Sequence, residues 1–172
     1  VLDKTAPSVP KVNSVKNSDK KITGIAEAGS KITVKKGSSV LGTATAAKDG
    51  KFTVTIKSAQ KAGTVLYVTA KDKAGNTSKA AKITVKDKTP PKTPFVNKVT
   101  SSSAKVTGKA EAYSTVYVKA GTKVIGSAKA VKSGSFSVKI AKQKTGKTLY
   151  VYAKDKAGNT GKSAKITVKK RL

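Results

Sequence analysis

The chain has 172 residues, room for one medium domain or two small ones. It contains no Cys, His, Met or Trp, which excludes disulfides, thiolate zinc sites, Ser-His-Asp triads and imidazole ligands, and leaves only oxygen-ligand sites for hard cations open. Its 37 Lys or Arg against 8 Asp or Glu give a formal net charge of +29, which draws polyanions such as teichoic acid, nucleic acid or anionic lipid without specifying one.

From the N-terminus the pattern is period-two alternation bounded by turn signals, the signature of short strands. It predicts strands over Val9–Val15, Lys21–Glu27, Lys31–Lys36, Val40–Ala47, Lys51–Ile56, Val65–Lys71 and Lys79–Val85. Ala28-Gly29-Ser30, Gly37-Ser38-Ser39, Asp49-Gly50 and Ala74-Gly75-Asn76 separate them. Alternation turns Ile32, Val34, Phe52, Val54, Ile56, Leu66, Val68, Ala70, Ile83 and Val85 inward, with Lys and Thr mostly between them. No segment keeps a helical period, and no apolar run approaches the roughly 20 residues that cross a bilayer.

The same pattern then repeats. Asp3-Lys4-Thr5-Ala6-Pro7 aligns with Asp87-Lys88-Thr89-Pro90-Pro91, and Phe52-Thr53-Val54 with Phe136-Ser137-Val138, at a shift of 84. One residue drops out before Leu149, and Ala70 to Thr77 recurs unchanged as Ala153 to Thr160. The expected modules are 1–86 and 87–172. Seven short strands each, with turns every 8–12 residues or so, indicate an all-β fold of two tandem Ig-like β-sandwiches; a small barrel is the alternative. Three prolines between Lys86 and Pro94 predict a short, semi-rigid junction and a monomeric rod.

Ile22-Thr-Gly-Ile-Ala-Glu-Ala-Gly-Ser30, Asp49-Gly-Lys-Phe52 and Ala70-Lys-Asp-Lys-Ala-Gly-Asn-Thr77 resemble the bacterial Ig-like domain family, over nearly the whole chain, twice. The resemblance implies tandem modules of secreted or cell-wall proteins, often Gram-positive, that serve as stalks, spacers and adhesive units, sometimes beside an enzyme domain. The second copy departs at Tyr113, which stands where the first has Gly29. If that glycine needs a positive φ, the turn is expected to change conformation.

Three features carry candidate function. Six of the acids fall at repeat-equivalent positions: Asp3/Asp87, Glu27/Glu111 and Asp72/Asp155. Strand order brings Asp3, Glu27 and Asp72 to one pole, and Asp87, Glu111 and Asp155 to the matching pole of the second copy, with Asn76 and Asn159 in the adjoining turns. Such oxygen clusters suit Ca²⁺; the competing reading, which the abundance of Lys favours, is that they pair with Lys or cap turn N–H groups.

Next, alternation turns Tyr117, Tyr150 and Tyr152 outward on neighbouring strands of copy two, with Lys119, Lys154 and Lys165 on the same face. Rings beside cations suit glycan or single-stranded nucleic-acid stacking; the competing reading, which is favoured, is ordinary cross-strand tyrosine pairing that stabilises the sheet. Last, copy one holds 17 Lys against 5 acids and copy two 20 Lys or Arg against 3, a diffuse charge with no recognition helix. A Lys82–Asn76 isopeptide bond assisted by Glu27 fits by residue type but lacks the expected aromatic surround.

The sequence thus points to a non-enzymatic spacer or stalk, secreted or at the cell surface, that associates with the envelope through its basic surface. The alternative is an adhesion or ligand-binding module for anionic wall polymer, glycan or extracellular nucleic acid, and a more remote one is an accessory domain of a secreted hydrolase. The modest set of Val, Ile and Leu predicts two thin cores, and copy two is expected to do more of the contacting.

Overall fold

The computed structural model describes residues 2–171. They form two compact units that divide between Lys88 and Thr89. The first holds β1 (Lys11–Val12), β2 (Lys21–Ile25), β3 (Lys31–Lys36), β4 (Ser39–Thr45), β5 (Lys51–Thr55), β6 (Val65–Lys71) and β7 (Ala81–Thr84). The second repeats them as β8 (Phe95–Val96), β9 (Lys105–Lys109), β10 (Thr115–Ala120), β11 (Lys123–Lys129), β12 (Ser135–Lys139), β13 (Thr148–Lys154) and β14 (Ala164–Thr167).

In the first unit the sheets run β1-β2-β5 and β4-β3-β6-β7, and in the second β8-β9-β12 and β11-β10-β13-β14. The strand pairs are antiparallel. Each unit is an Ig-like sandwich, and the chain is all-β.

The alternation read from the sequence is the alternation of burial. Ile32, Val34, Phe52, Val54, Ile56, Leu66, Val68, Ala70 and Val85 are buried, as are their counterparts in the second unit, while Ile83 and Ile166 pack partly buried against the cores. Val15, Ile22 and Ala46 complete the first core; Val99, Val106 and Ala130 complete the second. Each fully buried Ile, Leu or Val contributes about 1.5–3 kcal/mol, so two thin cores suffice for two small sandwiches.

The opening strand is shorter than its alternation predicts, because the chain changes sheets. Lys11 and Val12 pair with Ile25 and Gly24. A few residues later Lys16 bridges Lys86 in parallel, with Lys86 N–H donating to Val15 O and Asn17 N–H to Lys86 O. Thr100 and Lys169 repeat this in the second unit. One short segment thereby hydrogen-bonds to both sheets.

The last strand also starts later than expected, at Ala81, because the residues before it build a turn. Thr77 bridges back to Lys71, and the buried Ser78 hydroxyl accepts from Ala70 N–H and donates to Lys79 O. The first unit runs two residues past Lys86. There the Asn17 amide donates to the Asp87 carboxylate at 3.2 Å, and its oxygen accepts from Lys88 N–H at 3.1 Å.

Candidate functional site

The acidic side chains singled out by the sequence lie in turns and connections of the two units, and the tyrosines and their lysines on the four-stranded sheet of the second.

In the turn after β6, Asp72 Oδ1 accepts from Asn76 N–H at 2.8 Å and Oδ2 from the Asn76 amide at 2.8 Å. The same amide donates to Asp3 O at 3.0 Å. Asp155 and Asn159 repeat the pair at 2.9 and 2.8 Å. A hydrogen bond from the Asn76 side chain holds the Asp72 carboxyl below its usual range, against some desolvation. For Asp155, desolvation pushes upward, but Asn159 and the turn N–H groups outweigh it and the net shift is down.

Asp3, Glu27 and Asp72 line one depression of about 350 Å³ together with Ser30 and Lys73. Among the described residues, however, no three acidic side chains gather closely enough to hold a metal ion. Asp87 lies in the first unit against Asn17, and Glu111 lies beside Phe95 and Lys109. The Asn76 amide nitrogen donates to Asp72 and Asp3, and Lys82 is exposed on β7 opposite Tyr67.

The turn with Tyr113 does not change conformation. Gly29 has φ 75° and Tyr113 has φ 63°. The reason is hydrogen bonding on both sides of the residue. Ser114 is buried and donates its hydroxyl to Glu111 O at 2.7 Å, while Tyr113 N–H donates to Ala130 O at 3.1 Å. Ser30, Glu27, Gly29 and Ala46 make the same bonds in the first unit. Tyrosine therefore accepts the left-handed backbone, and the Lys156 ammonium sits 5.4 Å over its ring.

On the four-stranded sheet of the second unit, Tyr117 pairs with Tyr152 and Lys119 with Tyr150 across β10 and β13, and Lys165 lies opposite Tyr150 on β14. The three tyrosines share the solvent side, but all are half-buried. Tyr117 and Tyr152 stack at 5.2 Å with planes 13° apart, and the Lys119 ammonium stands 5.1 Å over Tyr152. The facing sides of the rings are thus occupied by each other. Tyr117, Lys119, Tyr152 and Lys154 line an open depression of about 460 Å³ with Thr160, Gly161 and Ser163; Tyr150 and Lys165 lie outside its lining.

Sequence reasoning missed that last trio. The signal was the replacement of Ser78 by Gly161 at the repeat-equivalent position. Any Cβ there would run into Pro91 O, so only glycine admits the close approach.

On the matching face of the first unit Thr33 and Thr69 stand where the second has Tyr117 and Tyr152. That face carries a depression of about 480 Å³, lined by Lys31, Lys35 and Lys71 with Thr33, Thr69 and Thr77 among its hydroxyls. No strand of either unit contains an acidic residue. The carboxylates are confined to turns and connections, so every charge on the strands themselves is positive.

Strand order and face chemistry define a tandem of Ig-like sandwiches with basic outer faces. The bacterial Ig domain matches residues 6–87 and again 90–170, and the chain belongs to that family. It is similar to the cell wall-associated protease of Bacillus subtilis (strain 168), 41% identical over 161 residues, which are 93% of this chain and 18% of that protein; the chain spans less than a fifth of this relative. Among solved structures it is similar to the BSP domain of a biofilm associated protein (20% identity, TM-score 0.45, 95% of this chain and 29% of that one). It is similar also to the fibronectin(III)-like modules of Clostridium thermocellum CbhA (20% identity, TM-score 0.43, 94% and 92%).

Proposed function

We propose that the chain is a non-enzymatic spacer of a secreted or cell-surface bacterial protein and that it associates with the cell envelope through anionic wall polymers. The observation that carries this reading is the charge placement. The chain carries a net charge of +29, and its strands bear lysines but no acid. The carboxylates of the turns repeated in the two units hold those turns, as Asp72 and Asp155 do with Asn76 and Asn159. A charge of this kind concentrates the protein at a polyanionic matrix. The cell-wall relative supports the location, and its protease activity belongs to a protein of which this chain matches 18%.

The test is co-sedimentation with purified Gram-positive walls, before and after extraction of teichoic acid. Retention on intact walls that falls steeply between about 50 and 200 mM salt, and loss of retention on extracted walls, are expected. Equal retention on extracted walls would overturn the polymer reading, and no retention on either would overturn envelope association.

A further inference from the structure

The two sheets of each unit offer different surfaces. The three-stranded sheet of the first unit exposes Ile25 at 53%, and that of the second exposes Phe95 at 68%. Beside Phe95 the surface depression includes the Glu111 carboxylate, and at the start of β5 Lys51 is neutralised by Asp49 at 3.3 Å. This side mixes apolar and acidic groups with its lysines.

The four-stranded sheet has no acid on its strands, and its exposed aliphatic side chains, Val40 at 54% and Val124 at 43%, belong to its edge strands β4 and β11, Val40 lining the first-unit depression. In the first unit Lys31 stands opposite Lys71, and Lys35 lies four residues along β3, roughly 13 Å away at the usual strand rise. Thr33 and Thr69 pair between them, and Thr43 and Thr77 flank them in the same depression. In the second unit Lys119 and Lys154 take the places of Lys35 and Lys71, with Thr160 and Ser163 supplying hydroxyls. The first-unit face therefore presents ammonium groups separated by hydroxyls, and in the second the stacked Tyr117–Tyr152 pair stands between Lys119 and Lys154, with Thr160 and Ser163 beside them.

We infer that the solvent face of the four-stranded sheet, in both units, is the docking face for a linear polymer of phosphodiesters and polyols. The ammonium rows meet the phosphates and the Thr and Ser hydroxyls meet the polyol hydroxyls. This rests on the envelope reading above and narrows it to one face and one chemistry. Charge complementarity alone would admit a single-stranded nucleic acid, but the rings argue for a ligand without bases. Base recognition on such a surface needs free aromatic faces, whereas Tyr117 and Tyr152 stack on each other and Lys119 covers Tyr152. The first unit offers Thr33 and Thr69 at those places, with Tyr67 opposite Lys35 at 38% exposure, a single ring where stacking of successive bases needs several. Lysine in place of arginine likewise supplies point charges for phosphate rather than planar forks for base edges.

The experiment compares two full-length variants of equal net charge. One carries Lys35→Gln, Lys71→Gln, Lys119→Gln and Lys154→Gln on the four-stranded faces. The other carries Lys11→Gln, Lys21→Gln, Lys105→Gln and Lys139→Gln on the three-stranded faces. Circular dichroism melts confirm folding of both, since every substituted position lies on the solvent side of its strand. Binding to poly(glycerol phosphate) is titrated from about 50 to 200 mM salt.

The four-stranded-face variant is expected to bind at least about tenfold more weakly at the low-salt end, with a log–log salt slope shallower by about 3. The three-stranded-face variant should stay within about twofold of the parent protein. Equal losses in the two variants would overturn the docking face while leaving envelope association intact. Failure of the parent protein to bind poly(glycerol phosphate) would overturn the polymer chemistry, and with wall retention also absent, the envelope reading too. Tighter binding of an oligothymidylate, lost in the same variant, would assign the face to nucleic acid and overturn the choice of ligand.

Discussion

Replacing the Tyr117–Tyr152 pair by the Thr–Thr pair of the first unit separates a structural role for the rings from a ligand-binding one. The rings stack at 5.2 Å and 13°, a geometry worth about 0.5–1.5 kcal/mol beyond the area it buries, and Lys119 over Tyr152 adds about 0.5 kcal/mol at a partly exposed site. Against this, a Thr–Thr cross-strand pair returns a few tenths to about 1 kcal/mol. Tyr117→Thr and Tyr152→Thr should each destabilise the second unit by about 1–1.5 kcal/mol, and the double variant by less than their sum, with a coupling of about 1 kcal/mol.

Amide hydrogen exchange along β13 reports that unit alone, and a change of about 1 kcal/mol corresponds to roughly 4–8 °C in its melting temperature. Retention of poly(glycerol phosphate) by the double variant should stay within about twofold, since no charge is removed. A coupling below about 0.3 kcal/mol, accompanied by lost polymer binding, would refute the structural account and make the rings a ligand platform.

Four further outcomes follow from the geometry. Gly24→Ala would force a Cβ against Lys11 O and the Phe52 ring; overpacking of this kind costs about 1–3 kcal/mol, so the first unit should melt roughly 5–20 °C lower while the β13 amides keep their protection. Because Tyr113 holds φ 63°, Tyr113→Gly should be more stable than Tyr113→Ala by about 1 kcal/mol in urea unfolding, the alanine keeping the strain without the ring.

The folded-state carboxyls of Asp72 and Asp155 sit below their ordinary value. Their contribution is therefore fully present above that value and is lost as pH falls through the folded-state one. Melting temperature should drop on acidification below about pH 4, and Asp72→Asn with Asp155→Asn should flatten that drop. Finally, a calcium site with a dissociation constant near 1 mM would add about 1.4 kcal/mol at about 10 mM calcium. Because Asp72 and Asp155 instead cap their own turns, calcium and EDTA should leave the melting curve unchanged.

Most of the fold was legible because strand burial has a period of two, and a period of two is visible in the order of residues. Ile32, Val34, Leu66 and Val68 declared their side of the sheet from spacing alone. The tyrosine face was legible for the same reason, and so was the neighbourhood of β10 and β13 once an Ig-like strand order was assumed. The occupation of that face was not. Whether Tyr117 offers a free ring or spends it on Tyr152 depends on rotamers across two strands that are 35 residues apart in the chain, and alternation carries no information about rotamers.

The carboxylates show the same divide. Spacing marked Asp72 and Asn76 as members of one turn, and the turn bonds between them are local. The gathering of Asp3, Glu27 and Asp72 into one depression, without closing into a group of three that could hold a metal, is a matter of distances between connections from different parts of the chain.

Tyr113 marks the boundary most clearly. The sequence by itself determined the repeat, the strands, their faces and the identity of the residue that stands in place of Gly29. Only the tertiary structure decided that the backbone stays left-handed there. Local preference alone would move a tyrosine out of that conformation, at a cost of about 1–2 kcal/mol for staying. The buried Ser114 and the bond to Ala130 hold it in place, because contacts made by residues distant in sequence add up to more than one residue's preference.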